Sequence, residues 1–302
     1  MRPHIFNGSN AYTEAAQRPV VTVGNFDGVH LGHAALLARV VELARRHGAP
    51  AVVVTFDPSP VEVLRPEQPS RRLQRLSEKI AAIRAMDVDH VVIEAFDTEY
   101  AQHDARWFAM EVIGHRLGAR ALVLGHDFRF GRGRGGGFAE LSSWLPIPVE
   151  QVAAVIADGT AVSSSRIRAA LDQGDVAAAA ALLGRPHRLV GTVVRGERRG
   201  HTLGFPTANV AFDARLLPPA PGVYAVRTPL GGGAANLGVR PTFQGSELRL
   251  EVHLLDFAGD LYGTELAVDF IARLRSEQTF AGPAALVTQL HADIEAARAA
   301  LA

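Results

Sequence analysis

The chain has 302 residues, of which 48% are hydrophobic and 21% charged, with 31 basic residues balancing 31 acidic ones and no cysteine. These values suit a globular protein of about two domains, predict neither nucleic-acid nor membrane partners, and exclude disulfides, thiolate catalysis and cysteine-based metal sites. No stretch approaches the roughly 18 apolar residues of a membrane span, and the first residues do not resemble a signal peptide, so we predict a cytoplasmic protein.

Residues 19 to about 156 alternate between apolar runs and amphipathic stretches, which predicts a parallel sheet covered by helices. Near-continuous apolar runs indicate buried strands, and these runs are PVVTVG, APAVVVTF, DHVVIEAF and RALVLG. Helical periodicity is present in HAALLARVVELARRHG, SEKIAAIRAM and DARWFAMEVIGHRLG. Gly48 is expected to end the first helix, and Ser77 and Asp104 are expected to cap the other two.

The pattern changes after about residue 184, where short alternating segments separated by Gly and Pro predict a mostly antiparallel β unit. These segments are RLVGTVV, GVYAVRT, ELRLEVHLLDF and TELAVDFIARL. PLGGGAAN is interpreted as a hairpin loop, and GPAALVTQLHADIEAARAALA as a closing helix. The segment SSSRIRAALDQGDVAAAAALLGRP, between the two parts, is also expected to be helical because it is rich in alanine.

Lysine is nearly absent, because Lys79 is the only lysine in the chain and the other basic residues are arginines. A phosphate-binding loop of the GxxxxGK(S/T) type is therefore excluded. Any phosphate must be held by arginine, histidine, backbone N–H groups or a metal. Lys79 itself lies in a predicted helix.

The stretch VTVGNFDGVHLGH, Val21–His33, reads as a strand, a glycine-bearing turn and the start of a helix. Free N–H groups and the positive end of the helix dipole favour an anion at such a place. Gly24, Gly28 and Gly32 would let the backbone approach a ligand closely. His30 and His33 share a helix face and could hydrogen-bond phosphoryl oxygens.

Two other interpretations of this stretch are open. Histidine pairs at this spacing are more often structural, and Asp27, His30 and His33 could together bind a metal. The glycines and the strand–turn–helix setting favour the phosphate site over both alternatives.

GNFDGVHLGH resembles the GxFDGxHxGH signature of nucleotidylyltransferases, in the form found in FMN adenylyltransferases. TFDPSP, GHDFRFG and VSSSRIR follow in that family's order. The resemblance implies ATP contacts from Gly24, Asn25, Phe26, Asp27, Gly28, His30, His33, Ser163, Ser164 and Arg168. It implies flavin contacts from Phe56, Asp127 and Phe128. Ser163 and Ser164 can cap a helix, and Arg168 can reach a phosphate as a bidentate donor.

GHTLGFPTANV, Gly200–Val210, is similar to the GxxLGFPTAN signature of riboflavin kinases, and GVYAV, NLGVRPTF, EVHLLDFAGDLYG and LRSEQTF follow in order. Thr207 and Asn209 would point the same way in an extended segment, and their oxygens suit Mg²⁺ bridging ATP phosphates. The resemblance adds Gly200 and Gly204 as ATP contacts. The alternative is that this segment is only a glycine-rich turn between two strands.

In ELRLEVHLL, Leu248, Leu250, Val252 and Leu254 share one strand face, so Glu251 projects from the other. A carboxylate there could be an exposed strand residue or the base that deprotonates a riboflavin hydroxyl. The resemblance implies the base. It also implies flavin contacts from Arg275 and Glu277, for which an exposed surface pair is the alternative.

Several positions depart from the family pattern. Ser59 stands where histidine is common, His201 where arginine is common, Ser165 where threonine is usual, and Thr279 where lysine is common. None is a residue to which we assign catalysis, but Ser59 and Thr279 bear on flavin affinity.

Together the two halves resemble the bifunctional riboflavin kinase/FMN adenylyltransferases of bacteria over roughly residues 15–295. The resemblance implies a Rossmann-like α/β domain over residues 1–184 and an antiparallel β-barrel closed by a helix over residues 185–302. It implies riboflavin, FMN and ATP as small-molecule partners, Mg²⁺ as cofactor, and no particular oligomeric state. Two rivals are an adenylyltransferase for another acceptor, such as nicotinamide mononucleotide or pantetheine phosphate, and a flavin- or nucleotide-binding regulator that has lost catalysis.

Overall fold

The computed structural model describes residues 4–67, 71–196, 205–242 and 245–302. Its contacts divide the chain into two compact units, Met1–Ser163 and Ser164–Ala302. The sequence predicts a domain boundary between residues 184 and 185. That boundary concerns which parts of the chain fold and act independently, and it stays a prediction. Within the described ranges, no helix is both long enough and apolar enough to cross a membrane.

The first unit contains a six-stranded parallel sheet in the order β1-β4-β3-β2-β5-β6. Its strands are β1 (His4–Asn7), β2 (Val20–Val23), β3 (Ala51–Phe56), β4 (His90–Glu94), β5 (Ala121–Gly125) and β6 (Val149–Val152). The four strands expected here are confirmed as β2 to β5. The edge strands β1 and β6 were not predicted because each pairs on one side only and none of its residues is fully buried, so its sequence lacks a buried apolar run. A two-stranded hairpin follows, β7 (Ile156–Ala157) and β8 (Thr160–Ala161).

Helices of the first unit lie on both faces of this sheet. They are α1 (Leu31–His47), α2 (Pro60–Leu64), α3 (Leu76–Arg84), α4 (Ala105–Trp107), which continues as the π-helical turns Phe108–Arg116, and α5 (Phe138–Trp144). Val20, Val53 and Val91 pack on one face with α1 and α3, whereas Val21, Val54 and Val92 pack on the other with the π-helical turns and α5. This double coverage explains why the central strands are continuously apolar.

Two of the three predicted helix ends are confirmed. Gly48 has a φ of 59° and ends α1, and the Asp104 carboxylate accepts the Trp107 N–H at 2.7 Å. The prediction of Ser77 as a cap was wrong. The helix begins at Leu76 because the Glu78 carboxylate accepts the N–H of Arg75 at 3.0 Å, and Ser77 therefore lies inside the first turn.

The second unit is built around a closed antiparallel barrel in the order β10-β13-β12-β11-β14-β9, with β9 also pairing with β10. Two helices precede it, α6 (Ser164–Asp172) and α7 (Val176–Leu183). The barrel strands are β9 (His187–Val194), β10 (Ala208–Phe212), β11 (Gly222–Thr228), β12 (Gly231–Thr242), β13 (Gly245–Leu254) and β14 (Glu265–Arg275). The closing helix is α8 (Pro283–Leu301), with Pro283 at its first position. The predicted barrel with a closing helix is confirmed.

The interpretation of PLGGGAAN as a loop was wrong. Thr228 pairs with Gly231, so the turn is only Pro229 and Leu230, and the glycines belong to β12. Glycine is needed inside this strand because neighbouring atoms approach closely. A Cβ on Gly233 would lie 2.8 Å from the carbonyl oxygen of His253, and one on Gly232 would lie 2.7 Å from the Leu301 side chain.

Candidate active sites

The loop between β2 and α1 lies where the strand order of the first sheet reverses. From β2 the chain continues to β3 and β4 on one side and later returns to β5 on the other side. In open α/β sheets, ligands bind beyond the carboxyl ends of the strands at such a switch point. The strand end followed by a helix N-terminus therefore places residues 24–30 at the expected ligand site.

The two histidines of this loop are in direct contact. His30 is the N-cap of α1 and its Nδ1 accepts the backbone N–H of His33 at 3.3 Å. The two rings are stacked, with centroids 3.7 Å apart and an interplanar angle of 14°. Because Nδ1 of His30 is the acceptor, Nε2 carries the proton of the neutral ring.

The surroundings keep His33 uncharged. Burial lowers the pKa of His33 well below its ordinary value, and electrostatic interactions with His30 and Lys79 lower it further. Its Nδ1 is buried and has no hydrogen-bond partner among the described residues. Gly32 leaves room for the histidine pair, since a Cβ there would lie 3.1 Å from the His30 ring. The site therefore offers the neutral imidazole of His33 to a ligand.

The residues just before the histidines are fixed by other parts of the first unit. Phe26 is fully buried, has a positive φ of 49°, and lies 5.1 Å from the His33 ring. The Asp27 carboxylate accepts the N–H of Leu73 at 3.0 Å. A ligand would thus meet the backbone of this loop, while the Phe26 side chain supports it from inside.

The predicted flavin contacts of the first unit lie at the ends of two strands. Phe56 ends β3 and packs edge-on against Phe96, with ring centroids 5.8 Å apart. Phe128 follows β5 and stacks on Phe130 at 5.3 Å, while the carboxylate of Asp127 is largely exposed. Phe56 and Phe128 lie beyond strands on opposite sides of β2.

A cavity of about 540 Å³ opens beyond the carboxyl ends of β1 and β4. Aromatic and polar side chains line it, among them Asn7, Glu94, Tyr100, Trp107 and Arg116. His103 stacks on Trp107 at 3.5 Å and the Arg116 guanidinium lies 5.3 Å from the same ring. The Tyr100 hydroxyl is buried without a partner in the described part of the chain, and burial raises its pKa. Such a cavity suits a planar, partly polar ring.

The residues of the VSSSRIR segment fall at the junction of the two units. Ser163 is the last residue of the first unit, and Ser164 and Arg168 lie on α6 of the second. The prediction that SSSRIR begins a helix is confirmed. Contacts of these three residues with ATP stay predictions.

On the barrel, Glu251 lies directly between two asparagines on neighbouring strands. It pairs with Asn209 of β10 on one side and with Asn236 of β12 on the other. The flanking residues Leu250 and Val252 are buried, so Glu251 faces outward as predicted. Directly opposed residues share a face, and the three side chains therefore form a polar row on the outer surface.

Thr207 immediately precedes β10, two residues before Asn209. The ring Nδ1 of His253 donates to the carbonyl oxygen of Pro206 at 2.9 Å and so anchors the backbone before Thr207. The Asn209 amide lies over Gly196, where a Cβ would come within 2.3 Å of it. A hydroxyl, an amide oxygen and the adjacent Glu251 carboxylate are hard donors and fit Mg²⁺ together with phosphate oxygens. Gly200, Gly204 and His201 lie outside the described residues.

The two predicted flavin contacts at the end of β14 differ in their surroundings. Arg275 makes a bidentate ion pair with the buried carboxylate of Asp293 on α8, at 2.8 and 2.7 Å. This pair attaches the closing helix to the end of β14. Glu277 lies over Gly238 of β12, where a Cβ would come within 2.4 Å of its carboxylate and 3.3 Å of the Asn236 amide. Glu277 is therefore close to the polar row, and the flavin role of both residues stays a prediction.

Sequence reasoning missed two neighbours of these sites. Asn236 was hidden because β12 was interpreted as a loop, and its pairing with Glu251 requires the strand register. Lys79 was assigned to a helix without a role, yet it is only 8% exposed and lies beneath the β2–α1 loop. The sequence did contain one indication of a special role, because Lys79 is the only lysine among 31 basic residues.

Two family models match the chain in succession. Residues 12–166 match the FAD synthetase model, and residues 183–301 match the riboflavin kinase model. A crystal structure described as a macrolide-efflux protein from Streptococcus pneumoniae has the same fold, with a TM-score of 0.89, 31% identity and 99% coverage of both chains.

Full-length relatives agree with both models. The bifunctional riboflavin kinase/FMN adenylyltransferase of Pseudomonas fluorescens is 44% identical, over 93% of this chain and 92% of its own. The protein of the same name from Escherichia coli K12 is 38% identical over 97% and 96%, and that from Bacillus subtilis is 33% identical over 96% and 95%. The chain therefore belongs to the family of bifunctional riboflavin kinase/FMN adenylyltransferases.

Proposed function

We propose that the second unit phosphorylates riboflavin to FMN and that the first unit joins FMN to AMP to give FAD. Each reaction uses one ATP, the first releasing ADP and the second pyrophosphate. Membership of the family supports both activities. The residue roles below are our proposal.

In the kinase reaction, Glu251 takes the proton of the riboflavin 5′-hydroxyl as its oxygen attacks the γ-phosphorus of ATP. The observation that carries this assignment is the outward row of Glu251 between Asn209 and Asn236. The amides beside the carboxylate can orient it by hydrogen bonds. Thr207 and Asn209 would hold Mg²⁺, which when bound neutralises charge on the ATP phosphates.

In the adenylyl transfer, a phosphate oxygen of FMN attacks the α-phosphorus of ATP, the bond to the β-phosphate oxygen breaks, and pyrophosphate leaves. The reaction needs no covalent enzyme intermediate, so catalysis rests on position and charge stabilisation. The observation that supports this mechanism is the stacked pair of histidines at the N-terminus of α1. Nε2–H of His30 and the neutral ring of His33 can donate hydrogen bonds to phosphoryl oxygens. Arg168 is proposed to add a positive charge.

We place the flavin ring of FMN in the cavity beyond β1 and β4. Two strand spacings, about 10 Å, separate β4 from β2 across the sheet. A ribityl phosphate chain is about long enough to bridge that distance toward α1. Phe56, at the end of the intervening β3, packs on Phe96 between the two places and supports this path.

The test uses purified protein with riboflavin and Mg-ATP, and products are separated chromatographically. We expect FMN to appear first and FAD to follow, and both to stop when Mg²⁺ is chelated. FMN alone would limit the function to the kinase, and neither product would favour a binding regulator. Adding nicotinamide mononucleotide or pantetheine phosphate in place of FMN tests the other acceptors, which we expect to remain unused. A cytoplasmic location and the lack of nucleic-acid and membrane partners remain part of this proposal.

A further inference from the structure

Lys79 uses all three donors of its side chain inside the first unit. It lies on α3, and its Nζ is 3.2 Å from the Asn25 carbonyl oxygen, 3.0 Å from the Thr55 hydroxyl and 3.1 Å from the Phe56 carbonyl oxygen. A neutral amine has only two N–H groups, and the Thr55 hydroxyl donates its own hydrogen to the Asn25 carbonyl oxygen at 3.2 Å, so the three oxygen partners require the ammonium. Burial lowers the pKa of Lys79, while the charges of Asp27 and Asp57 oppose that shift.

These contacts join the loops that follow two adjacent strands. Asn25 lies after β2 in the histidine loop, and Phe56 ends β3. A trans peptide is planar, with its N–H opposite its C=O. Because the Asn25 carbonyl points at Lys79, the N–H of Phe26 in the same peptide points away from Lys79.

The segment that carries Lys79 also fixes the next two residues of the loop. Gln74 Nε2 donates to the Phe26 carbonyl oxygen at 3.4 Å, and Leu73 N–H donates to Asp27. Three successive loop residues are thus held from residues 73–79. Phe26 needs such support because its positive φ of 49° is unfavourable for a residue with a side chain.

Arginine cannot replace lysine in this arrangement. The three acceptors converge on one nitrogen, which suits a tetrahedral ammonium, whereas a guanidinium is larger and its donors spread in a plane. All the other basic residues of the chain are arginines. The one lysine therefore stands at a position where the difference between the two side chains matters most.

We propose that Lys79 is a positioning residue of the adenylyl-transfer site, which holds the loops after β2 and β3 together and turns the Phe26 N–H toward the nucleotide phosphates. The proposal rests on the proposed adenylyltransferase function of the first unit. It adds to that function a residue that touches no substrate and acts through the Asn25–Phe26 peptide.

The first experiment compares Lys79→Met and Lys79→Arg with wild type in FAD formation from FMN and Mg-ATP. We expect kcat to fall at least tenfold in both variants, while riboflavin phosphorylation by the same samples is unchanged. Arg84→Met removes a positive charge from the same helix and should leave both activities near wild type. Wild-type kcat in Lys79→Met would overturn the proposal, whereas a wild type that makes no FAD would overturn the proposed function itself.

The second experiment restores the ammonium chemically. Because the chain has no cysteine, Lys79→Cys introduces a single thiol. Alkylating the unfolded variant with 2-bromoethylamine and refolding it rebuilds a lysine-like side chain, and alkylation with iodoacetamide gives a neutral control. We expect the aminoethylated protein to recover at least a third of wild-type FAD synthesis and the control to recover none. Equal recovery in the two alkylated proteins would mean that the side chain at position 79 only fills space, and it would overturn the proposal.

A third readout does not depend on activity or on the folding of a variant. Wild-type protein labelled with ¹⁵N in lysine has one side-chain ammonium nitrogen and gives one Nζ NMR signal. We expect saturating Mg-ATP with FMN to shift this signal. An unchanged signal in a wild type that makes FAD would overturn the proposal.

Discussion

At the residue scale, Glu251 is tested by a change that keeps its size. Glu251→Gln keeps a polar side chain of the same size in the row with Asn209 and Asn236 but cannot accept a proton. Riboflavin phosphorylation should fall by roughly 10²–10⁴-fold, as is typical when a general base is lost. FAD formation from supplied FMN should persist. Glu265→Gln, the same change on an exposed strand residue, is the control, and near-normal kinase activity in Glu251→Gln would assign the base to another group.

His30 has two roles at the same position, and two substitutions separate them. His30→Ala removes both the imidazole and the acceptor for the His33 N–H, so we expect loss of FAD synthesis and about 1 kcal/mol of stability. His30→Asn restores an N-cap acceptor and should recover the stability but not the activity. Activity in a kinetic assay and unfolding in denaturant measure the two effects. Normal FAD synthesis in His30→Ala would contradict the interpretation of the β2–α1 loop as a phosphate site.

At the element scale, the first residue of β9 makes the barrel sensitive to acid. His187 is 1% exposed, and its Nε2–H donates to the Leu217 carbonyl oxygen at 2.9 Å. Burial lowers the pKa of His187 from 6.5 to about 4. The unfolded chain therefore binds a proton that the folded barrel does not, and stability falls as the pH drops from about 6.5 to about 4.

The expected loss of stability from His187 is about 2 kcal/mol between pH 7 and pH 5. His187→Gln keeps an N–H donor but cannot titrate. Thermal unfolding of this variant should depend less on pH than that of the wild type by this amount. An equal dependence in both proteins would assign the acid sensitivity to other groups, such as His33 and His90, whose pKa values burial also lowers.

The sequence predicted the continuously apolar elements well, and the edge strands and the glycine-rich β12 poorly. β2 to β5 were recognisable because a strand covered on both faces must be apolar at every position. β12 was not, since close contacts such as that of Gly233 with the His253 carbonyl demand glycine, which in a sequence usually indicates a loop. The histidine pair was found from its motif, but the cross-strand partner Asn236 and the buried Lys79 depend on register and packing that no local pattern encodes.

At the scale of the whole molecule, the second unit includes two helices before the barrel. The Ala220 N–H donates to the Leu171 carbonyl oxygen at 2.8 Å, and Arg273 Nη1 donates to the Gln173 carbonyl oxygen at 3.0 Å. α6 and α7 also bury apolar side chains, namely Ile167, Leu171, Val176, Leu182 and Leu183. A fragment that begins at residue 185 loses all of these contacts.

We therefore expect the fragment 164–302 to unfold at a higher denaturant concentration than the fragment 185–302. Both contain Glu251, Thr207 and Asn209, so the longer one should convert riboflavin to FMN with Mg-ATP and make no FAD. Circular dichroism and product analysis measure the two properties. A well-folded 164–302 fragment without kinase activity would mean that the kinase site needs residues of the first unit, and equal stability of the two fragments would mean that the helices do not support the barrel.

The single buried lysine also determines how the chain responds to proteolysis. An endoprotease specific for lysine has one cleavage position, after Lys79, and would produce only the pieces 1–79 and 80–302. In the folded protein this bond lies in α3 behind three hydrogen bonds of the side chain, so cleavage requires α3 to open first. The rate of that one cut therefore reports how often the support of the histidine loop opens, and a nucleotide bound to the loop should slow it.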